Sequence, residues 1–457
     1  MTEMKIVVLL KFFRGELNPF DGAALECALE WGADVTAVSM APPSAKDALE
    51  NLTRLGVRAV LITDPLFAGS DTLSTGYILA EAIKRLEPDL VFAGRQSIDG
   101  DTGQVPPMLS ERLGREIIPG VIEFDGGRIQ TRSGAEASLP RGAIVTFERI
   151  RNLRFPSIFS KKGEVEVWDN TTLRLDGDKC GIKGSPTRVL RSYESTVGRR
   201  SCTFSDAGSF DALIKKALSK KTEKTAEDAT LKTDEIYYVG DIKKVAERYA
   251  ERAIPLDASG KTPEMFSREL RSLGARVVLF ESVEKLRILA AKTAVLTGAG
   301  LCADCVSFRR ENGSFIMTRP ALGGNVTADI VSDAEMAFAT VRPEGKRDGE
   351  IVFAIGKGAV PYLPEIRSLA EKYGATLAAT RSVVDAGIMP YETQVGLTGK
   401  TVAPKVYVAL GISGAVQHTS AIAGAGTVIA VNTDKDARIF DYSDYGIADD
   451  IKNLFKE

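Results

Sequence analysis

A chain of 457 residues is long enough for about three domains of ordinary size. Its 59 basic and 61 acidic side chains nearly cancel, so charge gives no case for a nucleic-acid partner or an anionic membrane surface. No apolar stretch reaches the ~18 residues that a membrane span needs, and the N-terminus does not resemble a signal peptide, so we expect a cytoplasmic protein.

Cysteine and histidine usage limits the chemistry. Cys302 and Cys305 form a CxxC pair without a second pair or a nearby histidine, which is a poor zinc site, and we expect no metal. The single histidine, His418, cannot build a His-rich metal site. A hydrolytic triad with Ser413 is disfavoured because Ala415 stands where a nucleophile elbow has glycine.

The first half of the chain alternates apolar strands with helical patterns, which is typical of a parallel sheet covered by helices. Strands are predicted at Lys5 to Leu10, Asp34 to Met40, Ala59 to Thr63 and Asp89 to Ala93, and helices at Asp21 to Trp31, Ala45 to Leu55 and Thr72 to Leu86. The loop from Gly94 to Gln104 follows the last strand. Ligands of open α/β sheets bind at such carboxyl ends.

The middle of the chain changes composition. Asp211 to Lys221 has the pattern of an amphipathic basic helix, and Thr222 to Asp234 is polar and charged. We interpret residues 205–235 as a charged linker. Ile129-Gln130-Thr131-Arg132 before it and Ile316-Met317-Thr318-Arg319 after it indicate two related α/β units.

A further doubly wound pattern begins near Glu350. Its predicted strands are Ile351 to Ile355, Thr376 to Thr380, Lys405 to Leu410 and Thr427 to Val431, and its helices are Leu363 to Tyr373 and Ser413 to Ile422. Polar residues follow several of these strands, and they offer backbone amides, hydroxyls, one fixed cation and one imidazole.

These groups suit a flavin, which needs donors at its ring carbonyls and positive charge where the reduced ring becomes anionic. Ser413 is predicted to cap its helix, with the helix amides free for a phosphate or a carbonyl. Each residue also has a structural interpretation: Arg381 could pair with Asp385, and His418 could be a helix histidine with its hydrogen bonds satisfied. Gly356-Lys357-Gly358 lacks the full dinucleotide fingerprint.

The sequence resembles the electron transfer flavoprotein family. The similarity to the FAD domain of the α subunit lies in Thr380-Arg381, Asp385-Ala386-Gly387, Gln394 to Lys400, Gly411 to His418, Asn432 and Asp444 to Ile447. Ala303 to Cys305 and Thr318 to Asn325 resemble that subunit's first domain. Residues 1 to about 200 resemble the β subunit through Asn18 to Asp21, Gly94 to Gln104 and Gly181 to Val189.

The resemblance implies two nucleotide sites and a partner loop. Arg381 would lie near the flavin ring, Thr398 near its N5 atom and His418 at its C2 carbonyl, so these three are the candidate catalytic residues. The full set implied for FAD is Gly356, Lys357, Thr380, Arg381, Val395, Gly396, Leu397, Thr398, Ser413, Gly414, Ala415, Val416, Gln417, His418, Asn432 and Asp450. The set implied for AMP, or for a second FAD, is Leu9, Asn18, Pro19, Phe20, Asp21, Met40, Asp101, Thr102, Gly103, Gln104, Val105 and Met108. Arg154-Phe155-Pro156 would be the partner loop, with Phe155 as its apolar anchor.

The sequence also departs from the family pattern. Lys357 replaces an arginine, which removes a bidentate grip on the diphosphate. Pro106 replaces a glycine in the β-like site and removes an amide donor. Thr380 stands for a serine and Leu397 for a glutamine, and the hairpin between Lys11 and Asn18 is short.

The fold class predicted is therefore α/β, with three doubly wound parallel-sheet units. The predicted domains are a β-like domain at 1–204, the linker at 205–235, an α-subunit first-domain-like unit at 236–345 and an FAD-binding domain at 346–457. The predicted function is an FAD-containing electron carrier rather than a substrate-turnover enzyme. It would take electrons from a flavin dehydrogenase of the acyl-CoA dehydrogenase type and pass them to a quinone-linked or ferredoxin-type acceptor. The alternatives are an NADH-oxidising bifurcating form with a second FAD, and a nucleotide-binding regulator without redox activity.

Overall fold

A computed structural model of the chain describes residues 4–194, 199–220, 232–311, 313–321, 326–342, 350–396, 399–400 and 402–455. The described residues fall into two compact units. The first draws on Met1–Arg191, Lys232–Leu322 and Ala328–Val341, and the second on Ser192–Leu231, Gly323–Thr327 and Arg342–Glu457. Both units are built on parallel sheets, which confirms the predicted α/β class. Leu397 and Thr398, two of the predicted flavin residues, lie outside the described residues.

The N-terminal part of the first unit holds a nine-stranded sheet. The strands of this sheet are β1 Lys5–Leu9, β4 Asp34–Met40, β5 Arg58–Ile62, β6 Leu90–Gly94, β7 Ile117–Asp125, β8 Arg128–Thr131, β9 Glu136–Ser138, β10 Ile144–Phe147 and β11 Val165–Trp168. A separate hairpin consists of β2 Phe12–Phe13 and β3 Glu16–Leu17. The helices of this part are α1 Pro19–Glu30, α2 Lys46–Thr53, α3 Thr72–Leu86, α4 Val105–Leu113 and α5 Asn170–Leu173. The strand order is β11-β5-β4-β1-β6-β10-β7-β8-β9.

Apolar residues on both faces of β1 explain its central position. Ile6 and Val8 pack in one buried cluster and Val7 and Leu9 in another, because successive side chains of a strand point to opposite faces. A strand buried on both sides is characteristic of a parallel sheet covered by helices.

The segment after the first sheet corrects the predicted linker. It forms strands β12 Thr187–Glu194 and β13 Thr203–Ser205 and helix α6 Phe210–Ser219. Phe210, Leu213, Ile214 and Ala217 are buried in the core of the second unit. Their spacing places them on one face of a helix, so residues 205–219 are a folded part of that unit. Residues 221–231 lie outside the described residues.

The remainder of the first unit repeats the topology of its N-terminal part. Its strands are β14 Thr233–Val239, β15 Ala250–Pro255, β16 Val277–Glu281, β17 Gly300–Cys305, β18 Ser307–Glu311, β19 Ser314–Ala321, β20 Val326–Ser332 and β21 Ala337–Val341, and its helices are α7 Lys243–Tyr249, α8 Pro263–Ser272 and α9 Glu284–Thr297. The order β15-β14-β16-β21-β17 matches β4-β1-β6-β10-β7 strand for strand. This agreement supports the internal repeat. A second sheet has the order β12-β20-β19-β18.

Cys302 and Cys305, the CxxC pair of the sequence, are both buried in β17 and are free cysteines.

The second unit contains one parallel sheet with the order β13-β26-β25-β24-β22-β23. Its remaining elements are β22 Ile351–Ile355, β23 Thr376–Ala379, β24 Val406–Leu410, β25 Thr427–Val431 and β26 Tyr445–Ile447, with helices α10 Leu363–Tyr373, α11 Arg381–Asp385 and α12 Val416–Thr419. Arg200 anchors the start of the β13 segment: its guanidinium donates to Asp444 and to the carbonyls of Ala423, Ala425 and Gly426. Over the described parts of the chain, no helix is both long enough and apolar enough to span a membrane.

Candidate functional site

The strand order of the second unit identifies its binding edge. The chain places β23 on one side of β22 and then β24, β25 and β26 on the other. The carboxyl ends of β22 and β24 therefore mark the topological switch point, where open α/β sheets bind ligands. Gly356 follows β22 and Gly411 follows β24, so the predicted motif lies at this point.

Glycines at this edge allow close packing of the backbone. A Cβ on Gly356 would overlap the carbonyl of Gly411, and a Cβ on Gly414 would overlap the backbone nitrogen of Ile439. Gly411 and Gly414 also have φ values of 61° and 86°, which favour glycine. The glycines therefore let the backbone segments at this edge pack directly against one another.

Residues 412–417 supply a row of backbone amides at the same edge. Their N–H groups donate to no acceptor in the described part of the chain. The structure corrects the predicted cap: the helix begins at Val416 rather than at Ser413, and Ala415 occupies the cap position without a side-chain hydrogen bond. The left-handed turn at Gly414 delays the helix. Asn432 steadies the loop by donating to the carbonyl of Ile412 over 2.9 Å.

His418 is buried and has protein partners at both ring nitrogens. Nε2 lies 2.8 Å from the hydroxyl of Tyr407, and Nδ1 lies 3.1 Å from the carbonyl oxygen of Val395. Burial lowers the pKa of His418 to about 4, so the ring is neutral at physiological pH. This arrangement matches the structural interpretation of His418, and it leaves no ring N–H for a flavin carbonyl.

Arg381 begins the short helix α11 after β23, with Thr380 in the preceding cap position. Its Nε lies 3.2 Å from a carboxylate oxygen of Asp385, which is the pairing that the sequence left open. Val395 and Gly396 lie beside the same strand end, since the amide of Val395 donates to the carbonyl of Ala379.

Lys357 and Asp450 complete the predicted flavin set. Lys357 is exposed at the start of the short Lys357–Tyr362 turn that follows Gly356. Asp450 forms an ion pair of 3.2 Å with Lys452 and accepts a hydrogen bond from Tyr362, at the end of that turn. Both residues therefore lie near the loop that follows β22.

The first unit has its own binding edge. There β4 and β5 lie on one side of β1 and β6 on the other, so the carboxyl ends of β1 and β6 form a second switch point. A cavity of about 750 Å³ opens at this point, which is within the usual size range for small-ligand sites. Eight predicted residues line it: Leu9, Asn18, Asp21, Met40, Thr102, Gly103, Gln104 and Val105.

The other four residues predicted for this site do not line the cavity. Pro19 is in the first turn of α1, and Phe20 is buried beneath the guanidinium of Arg95. Asp101 accepts a hydrogen bond from Gln96. Met108 packs into the buried cluster that contains Leu73 and Phe266 and does not line the cavity.

Asp21 is a buried carboxyl group in the wall of the cavity. Its carboxylate accepts hydrogen bonds from the backbone amides of Lys11 and Gly94, at 2.7 and 3.0 Å, and so joins the ends of β1 and β6. Burial raises the pKa of Asp21 to about 7, although these hydrogen bonds oppose the increase.

Sequence reasoning missed the part of this cavity that follows β5. Asp64, Ser70, Asp71 and Thr72 line it, and Thr72 donates to Gln104 over 2.7 Å. The end of the predicted strand at Thr63 was the available signal, because carboxyl ends of neighbouring parallel strands meet at one edge.

The predicted partner loop is firmly held and strongly apolar. Arg154 forms an ion pair of 2.7 Å with Glu26, and Arg54 donates to the carbonyls of Ser157 and Ser160. Pro156 is partly buried. Three large apolar side chains of the loop are exposed: Phe155 at 96%, Ile158 at 83% and Phe159 at 86%.

Comparison with known proteins agrees with this geometry. The electron transfer flavoprotein domain matches residues 7–153 and 246–346, the two topological repeats of the first unit. The electron transfer flavoprotein FAD-binding domain matches residues 347–423 in the second unit.

Three relatives show the same division. The chain is 40% identical to the electron transfer flavoprotein subunit beta of Clostridium acetobutylicum over 40% of its length and 76% of that subunit. It is 37% identical to protein FixA of Azorhizobium caulinodans over 43% of its length and 81% of that protein. It is 34% identical to the electron transfer flavoprotein subunit alpha of Thermoanaerobacterium thermosaccharolyticum over 42% of its length and 74% of that subunit. The chain therefore belongs to the electron transfer flavoprotein family and joins β-subunit-like and α-subunit-like sequences in one polypeptide.

Proposed function

We propose that this protein is a single-chain electron carrier that takes electrons from a flavin dehydrogenase and releases them one at a time to a downstream acceptor. A quinone-linked or ferredoxin-type protein would be the acceptor. The proposal is supported chiefly by the amides of residues 412–417 at the switch point of the FAD-binding domain, which donate to no acceptor in the described ranges.

The residues at this point fit the diphosphate of FAD. Side chains are excluded at Gly356, Gly411 and Gly414 because each Cβ would overlap backbone atoms. Amides that have no acceptor among the described residues are suitable partners for phosphate oxygens. The switch-point loop would thus bind the diphosphate, with Asn432 and Asp450 toward the adenosine end.

Bound FAD would supply the redox chemistry. The protein's part is to bind it and to fix the charges around the ring. Arg381 contributes positive charge that favours added electrons, while Asp385, 3.2 Å away, offsets part of this charge. Neutral His418 contributes no net charge.

We expect Arg381→Ala to lower the midpoint potential of the bound flavin by roughly 60 mV, which corresponds to about 1.4 kcal/mol for one electron. Loss of a nearby cation makes each added electron less favourable. Asp385→Asn is the matched control and should raise the potential. Redox titration of both variants measures these midpoint potentials. Shifts of equal size and the same direction in the two variants would contradict this role for Arg381.

We further propose that the cavity of the first unit holds AMP. Loss of the amide at Pro106 and the shortened hairpin favour the smaller ligand over a second FAD. Flavin and nucleotide counts in the purified protein test this: one FAD and one AMP per chain are expected.

Two FAD per chain together with NADH oxidation would favour the bifurcating alternative. A colourless protein that takes up no FAD would favour a regulator.

The exposed loop around Phe155 is proposed as the docking site for the donor. We expect Phe155→Ser to slow flavin reduction by a substrate-reduced acyl-CoA dehydrogenase by about tenfold or more, since buried aromatic anchors dominate interface energies. Its FAD content should not change. Met265→Ser removes an exposed side chain from α8 and should leave the rate unaltered. Equal rates for the two variants in stopped-flow measurements would rule out the anchor.

A further inference from the structure

The hydrogen bonds of His418 determine which nitrogen carries its proton. Nδ1 faces the carbonyl oxygen of Val395, and a carbonyl oxygen can only accept. Nδ1 must therefore be protonated. A buried, neutral imidazole then has an unprotonated Nε2, which can only accept.

Tyr407 is the residue that meets this need. It lies in β24 with no solvent exposure, and its hydroxyl is 2.8 Å from Nε2. Burial raises the pKa of Tyr407 well above its ordinary value, so the hydroxyl keeps its proton and donates it. The chain of donors runs from Tyr407 through His418 to Val395.

The carbonyl at the end of this chain belongs to the loop at the binding edge. Gly396 approaches α12 so closely that a Cβ on it would lie 3.1 Å from the carbonyl oxygen of Gln417. The hydrogen bond from His418 to the Val395 carbonyl connects this loop to α12. Without this hydrogen bond the loop could move away from the backbone amides of residues 412–417.

We propose that Tyr407 is a positioning residue of the flavin site: its hydroxyl donates to Nε2 and holds the ring of His418 in the orientation in which Nδ1–H meets the Val395 carbonyl, and His418 in turn fixes the Val395–Gly396 loop against α12. The proposal rests on the proposed flavin function. It assigns His418 a mechanical role toward the flavin and not the role of donor to the C2 carbonyl.

Nitrogen-15 NMR of the histidine ring tests the tautomer directly, because His418 is the single histidine of the chain. In the FAD-free full-length protein we expect one protonated and one unprotonated ring nitrogen at pH 7, with Nδ1 as the protonated one. Tyr407→Phe should keep Nδ1 protonated, because the Val395 carbonyl still accepts from it, and should shift the Nε2 signal, because that nitrogen loses its hydrogen-bond donor. Tyr442→Phe removes another buried hydroxyl of this unit and should leave the signals unchanged. A protonated Nε2 in the wild type, or an unchanged Nε2 signal in Tyr407→Phe, would overturn the proposal.

A pair of substitutions at residue 418 tests the mechanical role and does not depend on the stability of Tyr407→Phe. Asparagine can still donate to Val395 from the position of Nδ1 but has nothing at Nε2. We expect His418→Asn to bind FAD within about threefold of the wild type, and His418→Ala to bind at least about tenfold more weakly, because a buried carbonyl loses its donor. Equal losses in both variants would overturn the proposal. Failure of the wild type to bind FAD would instead defeat the proposed function and leave the NMR result standing.

Discussion

Replacing Phe210 with alanine is expected to lower the free energy of unfolding of the FAD-binding unit by about 3–5 kcal/mol. Phe210 is buried against Phe353 and Tyr373, with ring centroids 6.2 and 6.3 Å apart. Its removal leaves a cavity in the core of that unit. Urea titration followed by circular dichroism and by flavin fluorescence should show the flavin signal lost at a lower urea concentration.

The matched control lies on the other face of the same helix. Lys215 is exposed in α6, so Lys215→Ala should change stability by no more than about 0.5 kcal/mol. If Phe210→Ala were no less stable than Lys215→Ala, residues 205–219 would be a tether and not part of the core.

Gly414→Ala is expected to abolish FAD uptake. The new methyl group would overlap the backbone nitrogen of Ile439, and relief requires the loop before α12 to move. That movement disperses the amides of residues 412–417. Flavin absorbance after reconstitution and gel filtration measures the effect, which we expect to reach a loss of at least about a hundredfold in affinity, equivalent to about 2.8 kcal/mol.

Gly374→Ala is the control that separates crowding by the new methyl group from the strain of a positive φ. Gly374 also has positive φ, 61°, but a Cβ there would meet nothing within 4 Å. It should lower stability by roughly 1 kcal/mol and leave FAD binding intact. Equal loss of FAD in both variants would show that conformational strain, and not crowding at Ile439, controls the site.

The parallel sheets could be predicted from the sequence because their signal is local. A strand such as Ile351–Ile355 is buried along its whole length, and its apolar run is visible in any short window. Carboxyl-end loops could then be assigned to binding edges by topology alone. Gly94 to Gln104 and Gly411 to His418 both lie where this reasoning placed them.

Features that depend on distant partners could not be predicted in the same way. Helix α6 was assigned to a linker on composition, although the spacing of Phe210, Leu213 and Ile214 carried the opposite signal. The start of α12 depends on the left-handed turn at Gly414 and its close approach to Ile439. The partners of His418 are brought to it only by the folded sheet.

The position of β13 and α6 in the chain also sets the order of events on the ribosome. Arg200 and its partner Asp444 are 244 residues apart, and β13 pairs with β26 near the end of the chain. At translation rates of about 5–20 residues per second, the early segment waits on the order of tens of seconds for its partners. During that interval the apolar face of α6 has no core to enter. The nascent chain therefore presents a natural binding segment for chaperones until its last strand emerges.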